Sequence, residues 1–462
     1  MACTNDDTTT TGEAPVTAGT ADFSKYVALG DSFAAGFSDG ALFKKGQENS
    51  YPNLLAQQFA AAGGGVFTTP FMAADNVGGF SAGGVQVVSP RLYLDTATNT
   101  PTPVTGVSAN TLTERLTGSF NNMGIPGAKS FHLLFNGYAP LNPYFKRMAS
   151  SLTATALGDA LAQNPTFFSL WIGGNDELGY ATNGGVPTSQ DAVNGNDLTP
   201  TANFSAAYNT LATQLAANGR KGVVANLPYV TALPYFTTVP FNAVPLSAAT
   251  ATQLNSGYAQ YNGGLALAQS MGLITAAEKT KRTITFAAGQ NAVVMVDSYL
   301  TNLSALGLPS YRQATSADLL VLPSRSIIGT AVGGNPAQVN GVSVPLEDKW
   351  VLSSNEVAEV KAATDAYNLV IQAAATTNNL AFVDAKTVME QLSTTGIDFN
   401  TYNMTSTYVT GGAFSLDGVH PGARGYALIT NLFIDAINAK YGSTLKKKDG
   451  RDFQILYPRV IN

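Results

Sequence analysis

The stretch YVALGDS, residues 26–32, is a short, mainly apolar run that stops at a glycine and continues into an aspartate and a serine. Runs of this length are typical of strands that are buried on both faces, as in a parallel sheet. A glycine at the end of such a strand permits a tight turn. The segment therefore predicts a strand that places Ser32 at the start of a helix, where backbone N–H groups point toward it.

The same strand pattern returns along the chain, and helical patterns lie between several of the strands. Further candidate strands are residues 167–172, 222–225, 293–296 and 381–383, and candidate helices are residues 205–218, 355–377 and 423–440. Alternating strands and helices predict an α/β layered fold with a mainly parallel sheet.

Two long stretches do not follow this alternation. Residues 60–118 are rich in Gly, Thr, Pro and Val, and residues 230–350 mix Pro and aromatic segments with β-like ones. Because no shift in composition marks a linker, both are interpreted as insertions in one catalytic domain over residues 23–445, followed by a C-terminal extension over 446–462. The segment 233–236 in the second insertion is either a wall or lid of an apolar site or a Pro-rich surface connector.

The N-terminal segment has a distinct composition. Residues 1–22 are dominated by Thr, Gly, Ala and Asp, which predicts a disordered tether. Cys3 after Ala2 is similar to the end of a bacterial lipobox, and a lipidated cysteine there would attach the protein to a membrane. The alternative is a free thiol in a tail. The favoured localisation is therefore an exported lipoprotein of the bacterial cell envelope, and otherwise a periplasmic or secreted protein.

Composition limits the function classes. Charged residues are only 12% of the 462 residues, a low share that is more typical of exported than of cytosolic proteins. The net charge of −5 gives no reason to expect a nucleic-acid partner. One cysteine excludes an internal disulfide framework, and one cysteine with two histidines argues against a conventional four-ligand His/Cys zinc site. No uninterrupted apolar stretch reaches the roughly 18 residues that span a bilayer.

Two segments far apart in the chain carry the residues of a nucleophilic mechanism. Ser32 after the first strand can attack an electrophile, although a serine there is also a common helix N-cap. Asp417 and His420 lie three residues apart, so that one turn can present both side chains to the same place. A serine nucleophile requires such a base, and the base requires a carboxylate that orients it. The alternative is a surface turn that caps the following helix.

Two glycine-containing segments complete the pattern. Gly173-Gly174-Asn175-Asp176 ends the second candidate strand, and Asn175 can direct its amide at a developing oxyanion. The segment 122–128 contains Gly127, which can offer a backbone N–H to the same atom. Taken alone, each of these segments also reads as an ordinary turn.

In their order, these four blocks resemble the SGNH/GDSL hydrolases. The resemblance rests on Gly30-Asp31-Ser32, on Gly127, on Gly173 to Asp176 and on Asp417 to Pro421. It implies a flavodoxin-like three-layer α/β/α fold, a triad of Ser32, Asp417 and His420, and an oxyanion hole of Ser32, Gly127 and Asn175. It also implies a serine ester hydrolase that forms an acyl-serine intermediate on a small-molecule or lipid ester, with no metal or organic cofactor.

Alternatives remain for function and for single residues. Polysaccharide O-deacetylation within the same family and a non-catalytic binding lipoprotein are the competing functions, and the oligomeric state is open. Asp31 is expected to orient the Ser32 turn, and His132 is assigned no catalytic role. Lys129 stands where the family commonly has a small hydroxyl residue and could alter the rim of the site. Calcium in the loop 191–197 is conceivable, but the spacing does not match an EF-hand.

Overall fold

A parallel sheet organises the computed structural model, which describes residues 15–188 and 195–461. Within these residues the central sheet has five strands in the order β5-β4-β3-β1-β2, and every neighbouring pair is parallel. This is the strand order of flavodoxin-like folds, whose ligands bind beyond the carboxyl ends of the strands. The strands are β1 (Tyr26–Gly30), β2 (Asn122–Gly124), β3 (Phe167–Trp171), β4 (Lys221–Ala225) and β5 (Ala381–Val383).

Helices cover both faces of the sheet and make the three predicted layers. On one face, Phe167 and Trp171 of β3 pack their rings against aromatic residues of the helices at Tyr51–Ala60 and Ala423–Tyr441. On the other face, Phe204 stacks on Tyr367 of a second helix at 4.2 Å. The helices are α1 (Ser32–Ala35), α2 (Lys44–Glu48), α3 (Tyr51–Ala60), α4 (Tyr138–Leu141), α5 (Pro143–Met148), α6 (Ala156–Ala162), α7 (Asn175–Thr182), α8 (Thr201–Ala216), α9 (Pro234–Thr237), α10 (Ala248–Ser270), α11 (Ala276–Arg282), α12 (Ser354–Thr377), α13 (Ala385–Thr394) and α14 (Ala423–Tyr441).

Most of the sequence-predicted elements are confirmed, with two differences in the strands. The candidate strand at 293–296 does not belong to the central sheet, because Val294–Val296 pairs antiparallel with Tyr311–Gln313. A short apolar run has the same pattern in a buried hairpin as in a parallel sheet, so periodicity cannot separate the two. The true neighbour of β1 on its other side is β2, whose three residues are too few to show a periodic pattern.

Both predicted insertions lie outside the central sheet and are built from short antiparallel pairs. The second one has its own apolar core, which includes Ile284, Val293 and Leu320. The pairs are Phe80–Ala82 with Val85–Val88, Leu92–Asp95 with Thr100–Pro103, Val244–Leu246 with Gly289–Asn291, Val294–Val296 with Tyr311–Gln313, Leu319–Leu320 with Val351–Leu352, Ala331–Val332 with Asn335–Val339, and Ile397–Phe399 with Tyr402–Met404, the last pair lying beyond the insertions.

The two ends of the described chain lie against the body of the protein. The Thr444 N–H donates to the Thr17 carbonyl, the Thr17 N–H donates to the Thr444 Oγ1, and the Thr20 N–H donates to the Tyr441 carbonyl. The packed chain therefore begins before the predicted tether boundary near residue 22, because residues from Val16 onward find apolar partners in the core. At the other end, the extension packs back as well, with Tyr457 against Phe43.

Some predictions fall on residues that the structure does not describe. Cys3 and the rest of residues 1–14 lie outside the described residues, as do residues 191–194 of the candidate calcium loop. In the described ranges, no helix combines the length and the apolar character needed to cross a bilayer.

Candidate active site

Ser32 sits where β1 ends and α1 begins. The turn requires glycine at position 30, two residues earlier. A Cβ there would lie 2.5 Å from the Trp171 carbonyl oxygen and 2.9 Å from the Ala34 Cβ. Asp31 caps α1 by accepting a hydrogen bond from the Phe33 N–H at 3.0 Å. Ser32 itself is 6% exposed. The backbone therefore holds the hydroxyl at the carboxyl edge of the sheet, as the sequence predicted.

A chain of hydrogen bonds joins the three residues predicted as a triad. The Nε2 atom of His420 lies 2.8 Å from the Ser32 Oγ, and its Nδ1 lies 2.9 Å from the Asp417 Oδ2. An ionised carboxylate only accepts hydrogen bonds, so Nδ1 carries the proton and Nε2 can accept the serine proton. The fold thus brings together residues 388 positions apart in the chain. Their catalytic roles stay a prediction that activity measurements must test.

The Asp417 carboxylate is fixed by more than its histidine. Its Oδ1 accepts the backbone N–H groups of Val419 and His420 at 2.9 and 2.8 Å, and its Oδ2 accepts the Gly40 N–H at 2.9 Å. Burial acts to raise the pKa of this carboxyl, but the electrostatic interaction with His420 and the hydrogen bonds from His420 and Val419 outweigh burial and lower the pKa to about 2. Asp417 is therefore held ionised in the orientation that a histidine base requires.

Gly40 belongs to a turn that the sequence analysis did not assign to the site. Asp39 precedes it at a φ of 51°, and its Oδ1 accepts the Leu416 N–H at 2.9 Å. In return, Asp39 N–H donates to the Ser415 Oγ at 2.9 Å. Two hydrogen bonds therefore hold the turn after α1 against the loop before His420. The Asp-Gly dipeptide was the available signal, because it marks a turn, but nothing in the sequence indicates which loop that turn meets.

The segment that carries Gly127 lies directly against the nucleophile helix. A Cβ at Gly124 would lie 2.2 Å from the Ala35 backbone nitrogen, so the end of β2 can approach α1 only as glycine. Gly127 has a φ of 80°, which favours glycine. The preceding Pro126 carbonyl accepts a hydrogen bond from the Asn142 amide at 2.8 Å. The turn at Gly127 is therefore positioned by the close backbone contact at Gly124 and by the hydrogen bond from Asn142.

Two contacts connect this turn to the start of α7. The Asn175 amide donates to the Ala128 carbonyl at 3.0 Å. Next to it, Asp176 accepts both the N–H and the hydroxyl of Ser130 at 2.8 Å. The predicted oxyanion residues Gly127 and Asn175 therefore share one local structure. The amide of Asn175 has a second N–H available for a ligand.

The backbone donors predicted for the oxyanion hole are available. Among the hydrogen bonds of the described residues, none has the N–H of Ser32 or of Gly127 as its donor. Backbone N–H groups that lack a protein partner bind water or a ligand instead. Both N–H groups are therefore able to donate to a ligand.

Two buried carboxyl groups lie behind the site. The pKa of Asp31 is raised to about 7, chiefly by burial and to a smaller extent by the nearby Asp176, against the opposing effects of the Phe33 N–H and His420. Burial likewise raises the pKa of Asp176 to about 6, against the hydrogen bonds from Ser130. Asp31 caps the nucleophile helix as expected, and Asp176, to which the sequence analysis assigned no role, joins the two oxyanion segments.

Lys129 and His132 both serve the turn around Gly127. Lys129 is buried, and its Nζ donates to the carbonyls of Gly195 and Asp197 at 2.9 and 3.0 Å. His132 accepts the Lys129 N–H at its Nδ1 and stacks on Tyr138 at 4.1 Å. Lys129 therefore binds the loop that follows α7, and His132 supports the turn from inside the protein.

Two apolar cavities are lined by residues that neighbour the triad in the chain. The proximal cavity of about 40 Å³ is lined by Asp31, Gly174 and Val419, which are the chain neighbours of Ser32, Asn175 and His420. The distal cavity of about 60 Å³, partly open to solvent, extends between α13 and α14. Leu233 lines both cavities, so the segment 233–236 contributes a wall. The residues shared by the two cavities are Phe33, Trp171, Pro228 and Leu233.

Comparisons with known proteins identify no family for this chain. No protein-family model matches the sequence, and no curated protein matches it. Among solved structures, the chain is similar to a variant of an acetyl-xylooligosaccharide esterase from Geobacillus, with a TM-score of 0.34 and 11% identity over 93% of this chain and 99% of that chain. It is also similar to an extracellular lipase from Streptomyces rimosus, with a TM-score of 0.30 and 14% identity over 90% of this chain and 98% of that chain. Likenesses at these TM-scores say nothing about activity, which depends on the side chains of the site.

Proposed function

We propose that this protein is a serine ester hydrolase of the SGNH type, which cleaves carboxylic esters through an acyl-serine intermediate. The observation that carries the proposal is the continuous hydrogen-bonded chain from Ser32 through His420 to Asp417, with distances of 2.8 and 2.9 Å. Such a chain supplies a nucleophile, its base and the carboxylate that orients the base.

In the first half of the reaction, the Ser32 Oγ attacks the ester carbonyl carbon while the Nε2 of His420 takes the hydroxyl proton. Asp417 stabilises the imidazolium that forms, because its lowered pKa of about 2 keeps it ionised. The carbonyl oxygen becomes an anion, which the N–H groups of Ser32 and Gly127 and the amide of Asn175 would bind.

Collapse of the tetrahedral intermediate expels the alcohol, which receives the proton from His420 Nε2. The acyl group now remains on Ser32 as an ester. A water molecule then repeats the sequence: His420 takes its proton, the water oxygen attacks the acyl carbon, and Ser32 regains its proton as the carboxylic acid leaves. Every proton in this cycle passes through the one histidine atom that lies 2.8 Å from the serine oxygen.

The proposal is tested with p-nitrophenyl acetate and butyrate on the wild type and on Ser32→Ala. We expect wild-type turnover to fall about a millionfold in the variant, toward the uncatalysed rate. A fluorophosphonate should add to Ser32 in the wild type alone, as read by mass spectrometry of the tryptic peptides. A folded Ser32→Ala protein that retained wild-type turnover would refute the mechanism.

We also propose that the protein is exported and attached to a membrane through Cys3. The support is the lipobox-like Ala2-Cys3 pair and the Thr-rich tract that follows it. Cells that express the full-length gene would be fed an alkyne fatty acid, and wild type would be compared with Cys3→Ser. Label that is equal in both proteins would exclude lipidation of Cys3.

A further inference from the structure

We propose that the two apolar cavities form one bent pocket for the aliphatic acyl chain of the substrate, so that the enzyme prefers medium-chain over acetyl esters. This inference rests on the proposed function, since it assigns the substrate class of the same site. It also separates the two substrate classes that the sequence leaves open, because an acetyl group on a polysaccharide leaves such a pocket empty.

The proximal cavity lies against the segments that carry the site residues. It is bounded by Asp31, Gly174 and Val419, each of which is adjacent in the chain to a residue that would contact the reacting carbonyl group. The proposal places the first methylenes of the acyl chain in this cavity and the carbonyl oxygen toward Gly127 and Asn175. Leu178, Leu227 and Val230 make the floor apolar.

The distal cavity continues this space and is suited only to hydrocarbon. Every residue that lines it is apolar or glycine. The one polar atom in the shared wall, the Trp171 Nε1, donates to the Asn226 carbonyl at 3.1 Å and so is not available to a polar ligand. A sugar hydroxyl placed there would lose its hydrogen bonds to water without replacement, which is costly. An alkyl chain gains free energy for each methylene that leaves water.

The wall between the cavities also connects substrate binding to the second insertion. Leu233 lines both cavities and lies just inside the start of residues 230–350. Two residues later, the Tyr235 N–H donates to the Gly418 carbonyl at 2.9 Å, inside the loop that carries Asp417 and His420. The insertion therefore closes the pocket from the same side on which the histidine base is held.

Hydrolysis of a p-nitrophenyl series from acetate to decanoate tests the pocket on wild type, Val388→Phe and Val370→Phe. Val388 is half-buried on α13 and lines the distal cavity. Val370 is a matched half-buried valine on α12, outside both cavities. In the wild type, we expect kcat/KM to rise about fourfold per methylene through octanoate. Val388→Phe should lower the octanoate-to-acetate ratio of kcat/KM roughly tenfold, whereas Val370→Phe should leave that ratio unchanged.

The possible outcomes distinguish a failure of the pocket proposal from a failure of the proposed function. Ser32-dependent hydrolysis with no dependence on acyl length would overturn the pocket and leave the esterase intact. The acyl assignment would likewise be overturned if kcat/KM increased with the length of the alcohol chain, measured with methyl to octyl acetates, and not with the length of the acyl chain. No hydrolysis of any ester, together with no fluorophosphonate label on Ser32, would refute the proposed function itself.

A binding measurement tests the pocket without turnover. The chain has two tryptophans, so Trp350→Phe in the Ser32→Ala background leaves Trp171, which lies in the shared wall, as the single tryptophan. Octanoic acid that carries a terminal bromine should quench Trp171 saturably, and Val388→Phe should weaken this binding about tenfold while Val370→Phe does not. Absence of saturable quenching in a folded protein would overturn the pocket.

Discussion

In the proton-transfer half of the site, made of Ser32, His420 and Asp417, each residue holds the next through a side-chain hydrogen bond. In the oxyanion half, made of Gly127 and Asn175, the hydrogen bonds involve backbone groups instead. An example is the Asn175 side-chain amide, which donates to the Ala128 carbonyl. The first half must exchange a proton, which requires side chains of defined acidity. The second half must only offer N–H groups at fixed positions, which backbone does well.

This difference predicts that the two halves respond differently to substitution. Removal of a side chain from the proton-transfer half interrupts the path of the proton and disables every later step. Removal of one donor from the oxyanion half leaves the other donors in place. Changes that alter the backbone between the halves should act on stability and on activity together.

The largest effect in this comparison is expected for Asp417→Asn. The amide cannot accept the Nδ1 proton of His420 as the carboxylate does, so the histidine loses the tautomer and orientation that it needs as a base. We expect kcat to fall about ten-thousandfold with KM little changed. Stopped assays with a p-nitrophenyl ester measure this.

The matched control is Asp435→Asn, which removes a carboxylate of α14 that pairs with Lys447 at the surface. Its kcat should stay within about twofold of wild type, because exposed ion pairs contribute little. If the Asp417 and Asp435 variants lost activity equally, the assignment of Asp417 as the orienting carboxylate would be wrong.

A smaller decrease in kcat is expected for Asn175→Ala. One of three oxyanion donors disappears, which should lower kcat about a hundred- to a thousandfold and leave KM near its wild-type value. Asn209→Ala, on the exposed side of α8, serves as the control with unchanged kinetics. A loss at Asn175 that appeared mainly in KM would show a substrate-binding role and not a transition-state role.

Asp31 makes the stability of the site dependent on pH. Its pKa is raised to about 7 by burial, so the folded state binds a proton that the unfolded state releases above about pH 4. The stabilising contribution is fully present below pH 4 and is lost as pH rises through 7. In urea titrations, the free energy of unfolding should decrease from pH 5 to pH 8, and the decrease should be smaller in Asp31→Asn, by up to about 3 kcal/mol. Equal slopes in the two proteins would show that Asp31 is not protonated in this range.

The backbone contact between the two halves is tested with Gly124→Ala. The new Cβ would meet the Ala35 nitrogen at 2.2 Å, so β2 and α1 must separate. We expect a loss of about 3 kcal/mol in the free energy of unfolding, together with reduced kcat.

Gly257→Ala provides the contrast, because a Cβ at this helical position meets nothing within 4 Å. Alanine there should increase stability by about 0.5–1 kcal/mol and leave kcat unchanged. Equal stability in the Gly124 and Gly257 variants would show that β2 does not depend on a close approach to α1.

The sequence by itself determined the elements that depend on local chemistry. Short-range patterns predicted the buried strand before Ser32 and the pairing of an aspartate with a histidine three residues later. They also predicted helices at 205–218 and 423–440, which the structure places at 201–216 and 423–441. Such patterns reflect local burial and turn geometry, which neighbouring residues set directly.

Only the tertiary structure decided which segments meet. The strand at 294–296 pairs in a hairpin outside the central sheet, while the three residues of β2 join the sheet without a periodic signal. The Gly40 N–H reaches Asp417 across 377 positions, and Leu233 comes to line the cavities beside Ser32. These contacts depend on packing between distant residues, where shape and free donors select the partner, and no local pattern contains that information.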